Sequence, residues 1–155
     1  MSLDAKLGIG ETVDLGSHTF QAGEIKEFAS KYDPQRFHID EEAAARSVFG
    51  RLCASGWHTI SMWMKHNAAS FPATVERSRQ WGTPIEFGPA AGLRDLKWLK
   101  PVYVGDTITF TRTPRAHRAL ATRPGWRMLT TDNAAINQNG ETVMTFTTMV
   151  LMKAE

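Results

Sequence analysis

Apolar residues recur along this chain with two different periods, and the change between them divides it near residue 81. Residues 1–11 form a short lead-in, and residues 16–22 suit a first strand with Phe20 facing inward. Over residues 23–32 the side chains of Ile25, Phe28, Ala29 and Tyr32 fall at helical spacing, which predicts a short amphipathic helix. Pro34 ends it. A residue preceding proline is pushed out of the α region, so Asp33 is a helix boundary and an irregular segment follows. Asp40 then stands as an N-cap, with Glu41 and Glu42 at the positive end of a second short helix and three alanines favouring its continuation. After a break at residues 47–50, residues 55–70 predict a longer helix with Trp57, Ile60, Met64 and Ala68 as its apolar stripe, widened by Met62 and Trp63.

Residues 81–92 are punctuated by glycine and proline, and beyond them the pattern is that of strands. Residues 93–99, 106–114, 125–137 and 141–152 are rich in Thr, Val, Ile, Phe and Trp. Asn139-Gly140 is a hairpin signal between the last two, and the alternation over residues 107–111 describes an antiparallel sheet covered on one face. The expected architecture is α+β, an antiparallel sheet wrapped around a central apolar helix. At 155 residues, without repeats or a linker, residues 1–155 are read as a single domain.

Composition removes several classes of function. An apolar fraction of 42% with 22% charged residues is that of a folded globular chain. The net charge is +2 and the pI about 8.9, but the cations form no block of the kind nucleic-acid binding favours. No apolar run approaches membrane-spanning length, and the N-terminus has no basic segment followed by an apolar one, so a cytoplasmic location is expected, with neither nucleic acid nor membrane as partner. Cys53 is the only cysteine; a disulfide within the chain is excluded, and no Cys/His grouping has zinc spacing.

The candidate chemistry lies between Asp33 and Thr59. Asp33 and His38 are a carboxylate and an imidazole five positions apart. On a regular helix they would stand about 140° apart and on a strand they would face opposite sides, so they converge only in an irregular loop, which Pro34 makes available. They are candidates for general base and proton donor; the plainer reading is a loop cap beside a structural histidine. Gly56 is a candidate oxyanion donor through its backbone N–H at a helix start, or a glycine kept for close packing. Ser55 either orients His38 or a substrate carbonyl, or caps the helix. Cys53 reads as a small buried hydrophobe, His58 as structural, and Trp57, Met62, Trp63 and Met64 as core or as the lining of an apolar pocket.

The Asp33-x4-His38 arrangement, with Phe37 before the histidine and Asp40 after it, resembles the hydratase motif of MaoC-like dehydratases, including (R)-specific enoyl-CoA hydratases. The similarity continues through residues 49–59, again through residues 96–107, and ends in the hairpin at residues 137–143. It implies a hot-dog fold, a homodimer or higher homo-oligomer, and an acyl thioester on coenzyme A or an acyl carrier as substrate. The implied reaction is reversible addition of water to a 2-enoyl thioester, with Asp33 and His38 jointly activating the water, Gly56 and Ser55 positioning the substrate, and neither metal nor redox cofactor. Two positions depart from the pattern. Arg36 stands where a second proline is frequent, and Ser55-Gly56 where a His-Gly pair is frequent. A hot-dog thioesterase is the nearest alternative; a noncatalytic acyl-binding subunit is another, favoured if Arg36 obstructs the pocket or pairs with Asp33. The cations Lys97, Lys100, Arg112, Arg115, Arg118, Arg123 and Arg127 supply charge for a coenzyme A handle without marking any one as a binder.

Overall fold

The computed structural model describes residues 1–82 and 84–154. A five-stranded antiparallel sheet in the order β1-β3-β4-β5-β2 curves around one long helix. The strands are β1 (Val13–Thr19), β2 (Glu86–Trp98), β3 (Thr107–Ala119), β4 (Trp126–Ile136) and β5 (Thr142–Lys153). The helices are α1 (Leu3–Leu7), α2 (Ala22–Tyr32), α3 (Arg36–Ile39), α4 (Glu41–Ala45), α5 (Gly56–Ala69) and α6 (Phe71–Gln80). Among the described residues, no helix is long and apolar enough to cross a membrane.

Local chemistry accounts for most boundaries. Asp40 accepts from the N–H groups of Glu42 and Ala43 and starts α4 as a side-chain cap. Gly140 takes a left-handed φ of 76° in the β4–β5 hairpin, where its N–H donates to the carbonyl of Asn137. In β2 the glycines and Pro89 do not prevent a strand, because β2 is the sheet's edge and its pairing with β5 is broken by three register shifts. The strand therefore begins at Glu86, earlier than its composition suggested. Helix α6 was also hidden: its residues have no sustained apolar stripe, and Ser78 is its only buried residue.

The largest correction concerns α5. Its buried side chains are His58, Thr59, Trp63 and Asn67, whereas Trp57 and Met64 of the expected inward stripe are about half exposed. The helix is turned because its inward polar groups find partners or stacking surfaces. Asn67 accepts from Arg112 of β3, Trp63 Nε1–H donates to the Thr111 carbonyl at 2.9 Å, and His58 stacks on Phe28. Around Trp63 the main core gathers Phe20, Ile25, Ile108, Phe110, Met144 and Phe146 from both layers.

Candidate active site

Asp33 is the residue just beyond α2. Its N–H still closes the last helical turn on the Ala29 carbonyl at 2.8 Å, but its φ of −155° and ψ of 70° lie outside the helix, as Pro34 demands. The single turn α3 then carries His38 back toward it, bringing His38 Nε2 to 3.4 Å from Asp33 Oδ2. The two groups meet across the non-helical residues 33–35 and the turn α3, where an irregular loop alone was expected.

Both are held by neighbours. Gln35 donates its side-chain amide to Asp33 Oδ1 at 2.7 Å, and Ser55 donates its hydroxyl to Asp33 Oδ2 at 2.7 Å. His38 is buried, and its Nδ1 is 2.7 Å from the Cys53 carbonyl. A carbonyl only accepts, so Nδ1 carries a hydrogen, and in the neutral ring Nε2 has the free lone pair facing Asp33. Phe37 sets its ring edgewise to the imidazole, with centroids 4.6 Å apart.

Ser55 also accepts from the Trp57 N–H at 3.2 Å. It is thus both the cap of α5 and a holder of the carboxylate, and its hydroxyl is committed to Asp33 rather than to His38. The Ser55 carbonyl takes the N–H groups of His58 and Thr59, and the Gly56 N–H, the first of the helix, has no acceptor among the described residues. A Cβ on Gly56 would lie 2.2 Å from the Trp98 indole, so close packing and a free donor coexist at this glycine. Asp33, His38, Gly56, Trp57 and Trp98 all line one cavity of about 470 Å³.

A carboxylate, an imidazole nitrogen and a free helix-start N–H in one cavity are what proton transfer beside a polarised carbonyl requires. The family model described as FAS1-like, dehydratase domain region, matches residues 8–146. The crystal structure of a MaoC-like dehydratase from Rhodospirillum rubrum superposes with a TM-score of 0.77 at 31% identity, over 100% of this chain and 98% of that one. This chain belongs to the MaoC-like dehydratases. An uncharacterized protein of Bacillus subtilis, YdeM, is 32% identical over 108 residues, 70% of this chain and 69% of that protein. The (R)-hydratase of A. caviae, at 23% identity and a TM-score of 0.64 over 94% of this chain and 95% of its own, shares the hot-dog fold.

Arg36 of this MaoC-like dehydratase is exposed, does not line the cavity and forms no ion pair with Asp33 among the described residues. Its positive charge instead helps hold the Asp40 carboxyl below its ordinary value, after the backbone donor of Ala43, which has the largest effect. Cys53 is pushed up to about 11 by burial and by the nearby Asp33 charge, so it stays a thiol and contributes its carbonyl. Of the cations expected near a coenzyme A handle, Lys100 lines this cavity and pairs with Glu141. Arg115 pairs with Asp132, and Arg127 donates to His117. Gln35 and Trp98 were missed as site residues. Gln35 lies between Asp33 and His38 and Trp98 within the block at residues 96–107, but neither position reveals a contact with Asp33 or Gly56.

Proposed function

We propose that this dehydratase adds water reversibly to a 2-enoyl thioester, giving a 3-hydroxyacyl thioester, with Asp33 and His38 as its proton-transfer pair. The approach of Asp33 Oδ2 to His38 Nε2 carries the reading. Both atoms are acceptors when the ring is neutral, so a water between them directs one hydrogen to each and turns a lone pair toward the substrate's β carbon. One hydrogen leaves to the pair as the oxygen bonds the β carbon. The electron pair displaced from the alkene passes onto the thioester oxygen, and the pair returns a proton to the α carbon. The free N–H of Gly56, at the positive end of α5, receives that oxygen's negative charge. Ser55 and Gln35 hold Asp33 against rotation, and the Cys53 carbonyl holds the tautomer of His38.

The thioester carrier is coenzyme A or an acyl carrier, and the reaction needs no metal or redox cofactor. A homodimer is supported by the edge strand β2, where Leu93 and Trp98 are about half exposed, as are the neighbouring Leu99 and the outward Trp57 of α5. Apolar side chains clustered on an open strand edge favour pairing with another copy. A lone buried thiol and no disulfide support a cytoplasmic setting.

Hydration of crotonyl-CoA, followed as loss of enoyl absorbance, tests the assignment. Asp33→Asn and His38→Ala are each expected to lower the rate about 10²–10⁴-fold with the fold retained. Wild-type rates in both folded variants overturn the proposed pair, and release of free thiol in place of enoyl loss identifies a thioesterase.

A further inference from the structure

The molecule holds a second cavity of about 480 Å³ that shares no lining residue with the first. It lies at the other end of α5, where Asn67 lines it, whereas Thr59 lines the first. Eight residues separate them, about 12 Å along the helix axis, and the buried indole of Trp63 stands on the same helix face between them. Its walls include Leu7, Phe71, Ile85, Phe87, Leu129 and Val150, drawn from α1, α6, the segment before β2, and three strands. Most of this lining is aliphatic or aromatic.

Its polar groups are nearly as numerous as its apolar ones, among them the cations Lys6, Arg77 and Arg112 and the exposed Glu11. Arg112 lines the cavity and donates Nη1 to Asn67 Oδ1 and to Ser70 Oγ, each at 2.7 Å, and Nη2 to Thr74 Oγ1 at 3.4 Å. All three acceptors are neutral, and no carboxylate forms an ion pair with Arg112 among the described residues. Burial pushes the guanidinium below its ordinary value, and the nearby Arg77, which also lines the cavity, adds to the effect. Arg112 stays charged at neutral pH. Three of its five N–H donors are used; Nε–H and one Nη2 hydrogen remain, the number that a bidentate carboxylate takes.

The neighbouring threonines leave a further donor. Thr131 and Thr148 share a hydrogen bond at 2.6 Å, which uses one of their two hydroxyl hydrogens, and both line the cavity. Along the same inward row of β4, Asn133 donates to Thr148 Oγ1 at 3.1 Å and leaves its own Oδ1 without a partner among the described residues. A chamber with apolar walls on one side, a guanidinium without a carboxylate partner and a spare threonine donor suits an anionic head on an apolar tail. Glu11, which lines the chamber and is exposed, is not among Arg112's partners.

We infer that this second cavity is a binding site for an aliphatic carboxylate, its carboxylate on Arg112 and its tail among Leu129, Val150 and the phenylalanines. The site is separate from the Asp33–His38 cavity and does not depend on the reaction assigned there. A free fatty acid of medium length has the required chemistry.

Calorimetric titration of the full chain with octanoate at neutral pH tests the site, with octan-1-ol, octylamine and octyl phosphate as comparisons. Octanoate is expected to bind one equivalent and to bind Asp33→Asn equally well. It is expected to bind at least tenfold more weakly to Arg112→Gln and not at all to Leu129→Trp, which fills the chamber. Both of these variants should hydrate crotonyl-CoA at the wild-type rate. If either fails to fold, the comparison ligands on the wild-type chain decide. Binding of octan-1-ol or octylamine as tight as that of octanoate overturns the role of Arg112. Tighter binding of octyl phosphate overturns the carboxylate assignment. Absence of octanoate binding at millimolar concentration, or its loss in Asp33→Asn, overturns the site.

Discussion

The two ends of α5 solve the problem of buried polarity in opposite ways. At the N-terminal end, the carboxylate of Asp33 receives a donor on each oxygen and faces an imidazole, and His38 is itself tied to a carbonyl. At the C-terminal end, the guanidinium of Arg112 is surrounded by neutral oxygens and has no anion among the described residues. Burying a charge is costly unless it is paired or fully hydrogen-bonded. The first end meets that condition with its own residues; the second meets it only in part, and the proposed proton-transfer pair and the proposed anion site rest on that difference.

Trp63 keeps the two ends apart, so its removal is the strongest way to break the contrast. Trp63→Ala deletes a buried indole, its contact with Phe146 and its bond to Thr111, and is expected to destabilise the fold by about 3–5 kcal/mol. The shift of the urea midpoint reads this directly. A shift under about 1 kcal/mol would mean that the indole does not fill the space between the cavities.

Ser55→Ala acts on one end alone. It removes the cap of α5 and a donor to Asp33, and is expected to cost about 1 kcal/mol of stability together with a drop in hydration rate. Octanoate binding at the far end should not change. Equal loss at both ends would show that α5 responds as a unit and that the two sites are coupled.

The smallest effect is a pH dependence at the N-terminal end. Burial holds the His58 imidazole below its ordinary value, offset by Glu24, which raises it, and reinforced by His18, which lowers it further. The folded state therefore binds this proton less readily than the unfolded chain. The stability that His58 contributes is present above its unfolded pKa of about 6.5 and is lost as pH falls through its lower folded value. Thermal midpoints measured from pH 7 to pH 5 should fall more steeply for the wild type than for His58→Gln. Parallel profiles would remove His58 as the group responsible.

How much of this was legible in advance differs by element. The proline after Asp33 set a helix end and a loop, because its steric effect on the preceding residue is local. Asp40 and its two glutamates announced α4 for the same reason. The face of α5 was not legible: Trp57 and Met64 are the more apolar choices, yet His58, Thr59 and Asn67 are buried. Partners for the inward polar side chains come from β3 and α2, which are distant in sequence. Helix α6 and the early start of β2 were hidden because the first lacks an apolar stripe and the second owes its strand to pairing with β5.

The sequence by itself determined the α+β order, the end of α2 at Asp33 and the start of α4 at Asp40, the family resemblance, and Asp33, His38, Ser55 and Gly56 as candidate site residues. Those are consequences of short-range sterics, capping and motif spacing. Only the tertiary structure decided that Ser55 holds Asp33, that the Cys53 carbonyl selects the tautomer of His38, that Trp98 covers Gly56, and that Arg112 ends among neutral oxygens beside an apolar chamber. Each is a contact between residues from different elements, and its existence depends on how the sheet closes over α5.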